Sequence, residues 1–420
     1  MDKARHQMVA DFEPVCGLSF RDARPFQAGE SVVARNVGFP PPPSAFWTAA
    51  RPLLKAGRKL EARLFALMKD EIAWLPAPLD LGTELLEDNE VEQREPRWLR
   101  LAPRREDSGV ALKDLTGSSY GFACPIAPFG KPFERCLLTA EQWRNYLSDP
   151  SPAGSPLRTD ESFRAELRVG TALDGRKARQ GCLYSEQVLF LPRDPRARWR
   201  FRMALEVEQA PCAHIEAIVR LGGEARLAHL QIRKASWDAG FDQSLKEEML
   251  KRVQNQKGGP PYRVKLCLLT PAVYSANLRL LKLKRLTPAW RPYWLRGDGL
   301  NHDLPFANSY QLRLVAAITA KAFPLGAWDS GYIGKARGED AHPDERKATQ
   351  GPGAPKPLYR CLPAGSVYFL ELQPKEGDAA VENFFEQFWL KTLLVRKSGQ
   401  PTFFGRMGFG ITVIGDWNYA

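Results

Sequence analysis

Histidine and cysteine are both scarce in this chain, and the few present do not gather. Five histidines (His6, His214, His229, His302 and His342) are spread over 420 residues. None stands at HxxxH or HExxH spacing, so the usual helical zinc signatures are excluded. The seven cysteines, Cys16, Cys124, Cys136, Cys182, Cys212, Cys267 and Cys361, include no CxxC pair. An odd, dispersed set points to reduced thiols in a cytoplasm, against a disulfide framework and against structural zinc. No apolar run approaches the roughly 18–20 residues that span a bilayer. The opening stretch MDKARHQMVADFEP has no apolar segment of the kind a secretory signal needs. A cytoplasmic protein with no membrane partner is therefore expected. The chain also has no Walker loop, no GxSxG elbow and no compact Asp/Glu cluster for magnesium. These absences give no reason to expect a metal, a cofactor or a catalytic residue.

What the chain has in excess is positive charge. Its formal net charge is +12 and its pI is about 9.4, a balance that favours a polyanionic partner, nucleic acid first. The surplus is clustered. Arg164 to Arg202 holds ten basic and four acidic residues, and Ser275 to Leu300 holds six basic and one acidic. The second cluster, RLLKLKRLTPAWRPYWLRG, interleaves Trp290, Tyr293 and Trp294 with Arg291 and Arg296. Cations hold phosphates and aromatic faces stack on unpaired bases. The plainer alternative is a solvated face with aromatics packed beneath it.

The length fits two domains, each with a real core. GCLYSEQVLFL, WRFRMALEVE and ARLAHLQIR read as strands, and CAHIEAIVRL between the last two reads as a short helix ending at Gly222-Gly223. Farther on, YQLRLVAAIT and GSVYFLELQ are strands. DAAVENFFEQFWLKTLL is a helix with Asp378 as its N-cap, and the glycine loop FFGRMGFG leads into ITVIGDW. Each copy follows a candidate first strand, MVADFEPVCGLSF or YRVKLCLLT. Adding a first helix to each copy gives βαββαβ, so the expected fold class is α+β with two tandem ferredoxin-like domains, RRM-like in plan. The first helix should start after GFPPPPSAFWTAA with Ser44 as cap, be broken or kinked at Pro52, and restart in RKLEARLFALMKDE. The expected domains are 1–235, with an insertion at about 75–160, and 236–420, with a mobile Gly/Pro/charge-rich insertion at about 329–357. SLKEEMLKRVQNQKGG should be a helix at the junction.

Two features suggest contact with RNA. Gly222 and Gly223, with Arg226 nearby, and the run Arg406 to Gly410 are glycine loops at matching places in the two halves. Glycine lets backbone N–H groups approach phosphates, Arg406 adds charge, and Phe409 adds a stacking face; Gly408 and Gly410 complete that loop. Near the start, FRDARPFQAGE sets Arg21 and Arg24 around Asp22 and fixes the backbone at Pro25. Arg21 and Arg24 can grip phosphates and Phe26 can stack on a base, with Arg35 just beyond. An internal ion pair of Arg24 with Asp22 or Glu30 would instead only shape the loop. His302 in GLNHDLP sits beside Asp303, where a general-acid role competes with a plain turn role.

The chain resembles a known family through LSFRDARPFQAGE, PPPPSAFWTAARPLL, WLPAPLDL, RVGTALDGRKARQGCLY, LGGEARLA, LKLKRLTPAWRPYW, PLGAWD, PKPLYRCLPAGSVYF and GFGITVIGDW. In this order they are similar to the third subunits of the Cmr complex, the type III-B CRISPR RNA-guided effector, which are RAMP-type proteins. The resemblance covers nearly the whole chain; the basic segment REPRWLRLAPRRED in the insertion matches no fixed motif of the family. It implies two ferredoxin-like domains, no nuclease activity and no metal. It also implies a place at the foot of the complex, beside the large palm-domain subunit and the first backbone subunit. There the 5′ repeat-derived tag of the guide RNA would be held. The residues expected to meet RNA are Arg21, Arg24, Phe26, Arg35, Arg168, Arg176, Lys177, Gly222, Gly223, Arg226, Arg291, Arg406, Gly408, Phe409 and Gly410. A RAMP endoribonuclease acting on guide precursor, and a purely structural subunit without RNA contact, are the two other classes open at this point.

Overall fold

The computed structural model describes residues 5–20, 33–34, 39–54, 60–84, 98–103, 112–113, 119–120, 123–125, 129–148, 156–174, 177–208, 214–223, 226–274, 290–295, 302–326, 328–329, 354–355, 359–375 and 379–419. Helices and several antiparallel sheets are mixed along the chain, an α+β arrangement.

The first half is built on one sheet. Strand β1 (His6–Pro14) sends Met8, Ala10 and Phe12 into the core at period two. Helix α1 (Pro43–Leu54) follows. Proline suits its first position, where its missing N–H would have had no helical partner. Ser44, the expected cap, lies inside the first turn instead. The helix runs through Pro52, which is close enough to the end that the lost hydrogen bond does not divide it. Strands β2 (Glu61–Lys69) and β3 (Ile72–Pro76) come next. β2 corrects the helix expected in RKLEARLFALMKDE. Leu64 through Met68 are all buried, so the strand is covered on both faces and its sequence loses the alternation that would mark it.

Strands β4 (Cys136–Thr139) and β5 (Leu157–Arg158), with helix α2 (Ala140–Ser148) between them, belong to the expected insertion. A long hairpin, β6 (Arg164–Asp174) and β7 (Lys177–Phe190), forms a separate small sheet. Strands β8 (Trp199–Val207), β9 (His214–Arg220) and β10 (Leu227–Lys234) complete the main sheet. Its order is β5–β4–β3–β2–β8–β1–β10–β9. β9 corrects the helix expected in CAHIEAIVRL. It is an edge strand with neither face fully buried, so Ile215, Ile218 and Val219 fall at helix-like spacing by composition alone.

In the second half, helix α3 (Gln243–Gln254) is capped by Asp242, whose carboxylate accepts from the Leu245 N–H at 2.8 Å. Strands β11 (Tyr262–Leu268), β12 (His302–Leu304), β13 (Ala307–Ile318) and β14 (Val367–Pro374) precede helix α4 (Ala379–Phe388). Helix α4 buries Val381, Phe384, Phe385 and Phe388, the face expected from the sequence; Asp378 lies outside the described residues. A short turn of helix, α5 (Phe403–Arg406), and strand β15 (Thr412–Asp416) close the fold. The sheet order is β12–β13–β14–β11–β15. In both sheets four strands, counted along the chain, lie as fourth, first, third, second. These are β10–β1–β8–β2 and β15–β11–β14–β13, every neighbour antiparallel.

One hydrophobic core runs through both halves. The seam is made by stretches far apart in sequence. Leu79 donates its N–H to the Gly365 carbonyl at 2.8 Å, which brings WLPAPLDL against PAGSVYF. Gly365 has φ +84°, and a Cβ there would lie 2.3 Å from the Ala77 carbonyl oxygen, so only glycine serves. Helix α2, from the first-half insertion, packs its Trp143 edge-on to Phe241, with ring centroids 6.0 Å apart. Arg144 meets Asp242 at 3.0 Å. Beneath this lies a buried polar triad. Lys265 Nζ is 3.0 Å from Asp80 Oδ2 and donates to the Tyr146 hydroxyl at 2.7 Å. Tyr146 donates in turn to the Asp80 carboxylate at 2.6 Å, with Cys267 Sγ 3.6 Å from the same hydroxyl.

Burial also sets the alkaline limit of the fold. Desolvation pushes the Tyr146, Tyr274, Tyr310 and Tyr368 hydroxyls above the usual tyrosine range, the Cys361 thiol up, and the Cys267 thiol up to about 12. Groups raised in the folded state stabilise it fully below their unfolded pKa and lose that contribution as pH rises. Unfolded cysteine and tyrosine ionise near about 8.5 and 10. Stability should therefore fall from about pH 9 upward, by up to about 1.4 kcal/mol per pH unit for each group. Urea midpoints at pH 7.5, 9 and 10.5 read this directly; a flat profile would contradict it.

Candidate nucleic-acid interface

The residues directly before the basic run that begins at Arg21 are well anchored. Phe20 is buried and stacks on Phe46 of α1, with centroids 5.7 Å apart and planes at 28°. The carbonyl of Ser19 accepts from the Gly223 N–H at 2.7 Å. Gly222 has φ +80°, and a Cβ there would stand 2.4 Å from the Ser19 oxygen. The Gly222–Gly223 turn therefore docks against Ser19, which explains the glycine at 222. Arg21, Arg24, Phe26 and Arg35 lie outside the described residues, as does Arg176.

Arg226 is part of the same corner. Its N–H donates to the Gly223 carbonyl at 3.2 Å, and its guanidinium is 3.7 Å from Glu186 of β7. Glu186 is buried while Gly222 is exposed. On the hairpin, Arg168 lies over the Phe190 ring at 5.2 Å and reaches Glu166 at 3.6 Å. Lys177 is exposed at the start of β7.

The arginine-rich stretch is only partly available to a ligand. Arg202 makes a two-pronged bond to Asp11 at 2.6 and 2.9 Å, and Arg200 meets Glu71 at 2.5 Å. Arg198 meets Glu13 at 2.6 Å. Although partial burial opposes it, the hydrogen bonds and charges of Arg202 and Arg200 hold the Glu71 carboxyl below the usual range. The signal for this pairing was in β1, where Asp11 faces Arg202 across the strand pair. Arg200 and Arg202 are both buried, so they balance acids of the sheet and belong to the fold.

The second basic cluster is corrected where it is described. Trp294 is buried, donates its indole N–H to the Leu393 carbonyl at 3.0 Å and stacks on Phe388 at 5.3 Å. Arg291 is buried beside it, donates to the Leu295 carbonyl and lies 5.5 Å from the Trp290 ring centroid. Trp294 and Arg291 form a core corner and offer no stacking face, whereas Tyr293 is exposed. The loop GRMGFG is corrected for the same reason. Phe409 is fully buried, edge-on to Phe404 at 5.5 Å, and so presents no face to a base. Gly410 donates its N–H to the Pro271 carbonyl at 2.7 Å. A Cβ on Gly408 would come 3.0 Å from Ala62 Cβ, placing this loop against the first half of the chain. Gly408 and Gly410 are buried, and Arg406 is half-buried at the end of α5.

His302 and His229 have local partners, and His342 lies outside the described residues. His302 is buried, with Nε2 3.0 Å from the Trp294 carbonyl oxygen. His229 lies 2.7 Å from Glu216 across the β9–β10 pair. Among the described residues, no three His, Cys, Asp or Glu side chains come together as a metal-binding group, and no helix is long and apolar enough to cross a membrane.

None of the curated proteins matches this chain. Two solved structures similar to it are chains of a type III-B Cmr-beta complex. One is a cryo-EM structure bound to cognate target RNA and AMPPnP, at 11% identity and a TM-score of 0.36. The other is bound to cognate target RNA, at 13% identity and a TM-score of 0.31. Each match covers 86% of this chain and 86% of the other. The sequence matches the family "CRISPR-associated protein (Cas_Cmr3)" over residues 11–417, and the chain belongs to that family.

Proposed function

We propose that this protein is a non-catalytic RNA-binding subunit of a type III-B effector complex, acting in antiviral defence. It holds the 5′ tag of the guide RNA at the foot of the complex, beside the large palm-domain subunit and next to the first backbone subunit. Family membership across residues 11–417 supports the place in the complex. The observation that carries RNA contact is the anchoring of FRDARPFQAGE. The residues just before Arg21 are held by Phe20 on Phe46 and by the Gly222–Gly223 turn, so the basic run that begins at Arg21 follows a fixed base. The fourth-first-third-second strand order in both sheets favours reading each half as a ferredoxin-like RAMP unit. A strand, β9, occupies the first unit where the second helix would be. Burial of His302 and its bond to a backbone carbonyl favour a structural role over acid–base cleavage.

The test is guide-RNA binding by the chain with its large-subunit partner at several salt concentrations. Arg21→Ala with Arg24→Ala should lower the slope of log K against log[salt] by about 1.4, about 0.7 per phosphate contact. Phe26→Ala should weaken binding by about 1–3 kcal/mol and leave that slope nearly unchanged. Folded variants with wild-type affinity and slope would remove RNA contact from this loop.

A further inference from the structure

The corner where the glycine turn meets the loop root holds polar groups that the fold leaves without partners. Among the described residues, buried side-chain atoms lacking any hydrogen bond include Ser19 Oγ, Glu186 Oε1 and Arg226 Nε. Glu186 supplies the one carboxylate oxygen in that set. An unmatched buried carboxylate is costly in a finished fold. The three groups belong to one place. A Cβ on Gly223 would lie 3.8 Å from Ser19 Oγ, Arg226 closes the turn onto Gly223, and its guanidinium faces Glu186. Leu18 bridges Leu189 of the β7 strand, so Ser19 lies across from Val188, and Glu186 follows two residues away on the same side.

The chemistry of this notch selects its ligand. A phosphate is disfavoured, because Glu186 already offsets Arg226 and would repel a second anion. An aliphatic group would leave all three atoms unmatched. A hydroxyl matches them, since it donates one hydrogen bond to a carboxylate oxygen and accepts from a guanidinium N–H or a serine hydroxyl. Resting on the RNA-binding reading above, we infer that Ser19, Glu186 and Arg226 form a notch that takes one ribose 2′-hydroxyl of the bound RNA strand. This corner thus distinguishes RNA from DNA, while Arg21 and Arg24 deal with phosphates.

The experiment uses the chain with its large-subunit partner and synthetic 5′-tagged guides carrying a single 2′-deoxy nucleotide, walked through the tag. In the wild type one position should cost about tenfold in affinity, the scale of a hydrogen bond to a charged group. In Glu186→Ala the same deoxy substitution should cost nothing further, the coupling expected of a direct contact. If Glu186→Ala fails to fold, Glu186→Gln and Ser19→Ala should still shrink the penalty to about threefold or less. A guide that binds with no sensitive position overturns the notch and leaves the RNA-binding reading standing. A sensitive position with equal penalty in wild type and variants also overturns it. Absence of guide binding in the wild type removes both.

Discussion

Replacing Lys265 with methionine should lower the free energy of unfolding by about 3–5 kcal/mol, the scale for breaking a buried ion pair from one side. Lys265 and Asp80 are 3.0 Å apart with side chains 3% and 0% exposed, so water cannot take the place of the lost ammonium. Among the described residues, Asp80 would keep the Tyr146 hydroxyl as its side-chain partner. The triad also joins chain segments that meet nowhere in sequence. Asp80 follows β3, Tyr146 is on α2, and Lys265 is on β11, an interior strand of the second sheet. The variant should therefore loosen the seam as well as the local packing. Adding Asp80→Asn should recover much of the loss, because the uncompensated charge goes and the Tyr146 hydroxyl keeps an acceptor. Denaturant unfolding of the two variants checks this. A single variant within about 0.5 kcal/mol of wild type would mean the triad is not a structural lock.

Gly365→Ala should cost about 2–4 kcal/mol, combining a left-handed backbone that a Cβ disfavours with overpacking against a main-chain oxygen. The added carbon would sit 2.3 Å from the Ala77 carbonyl oxygen, an atom held by the strand before it. A matched control separates the two causes. Gly258 has φ +99° with nothing within 4 Å of its Cβ position, so Gly258→Ala should cost only about 1 kcal/mol. Unfolding midpoints of both variants, with limited proteolysis of the seam, read the difference. Equal costs would show that lobe packing at 365 carries no energy of its own.

These two sites show what could and could not be read from the sequence. WRFRMALEVE was legible because its residue types alternate, with Phe201, Met203, Leu205 and Val207 on one face and the paired, buried Arg200 and Arg202 on the other. Helix α4 was legible because its phenylalanines repeat on one stripe. Strand β2 was not, since burial on both faces removes the period that separates strand from helix. Strand β9 was not, because Ile218, an apolar residue on its exposed face, breaks the alternation set by the half-buried Ile215, Ala217 and Val219. WLPAPLDL and PAGSVYF were visible as family motifs. That they touch each other, with Gly365 against Ala77, depends on a docking of distant segments that no local pattern encodes. One hint of the triad was present: Lys265 is a lone charge within the apolar run VKLCLL.

The candidate site divides in the same way. The glycine at 222 marks a real close approach to Ser19. The glycines at 408 and 410 are equally genuine but are spent on packing, and Phe409 with them. Charge counting overstated the basic surface. Ten basic residues between Arg164 and Arg202 looked available, whereas Arg198, Arg200 and Arg202 answer acids on β1 and the β2–β3 turn. Net charge reports the surplus but not which cations the fold has already used.

The central claim is that this chain binds the guide through its 5′ tag without cutting it. The most direct measurement is equilibrium binding of tagged and untagged guide RNA by the chain with its large-subunit partner, with the RNA's length checked after incubation with and without magnesium. The account predicts tighter binding of the tagged guide and intact RNA throughout. Equal affinity for both guides, or cleavage that disappears in a His302→Ala variant, would contradict it.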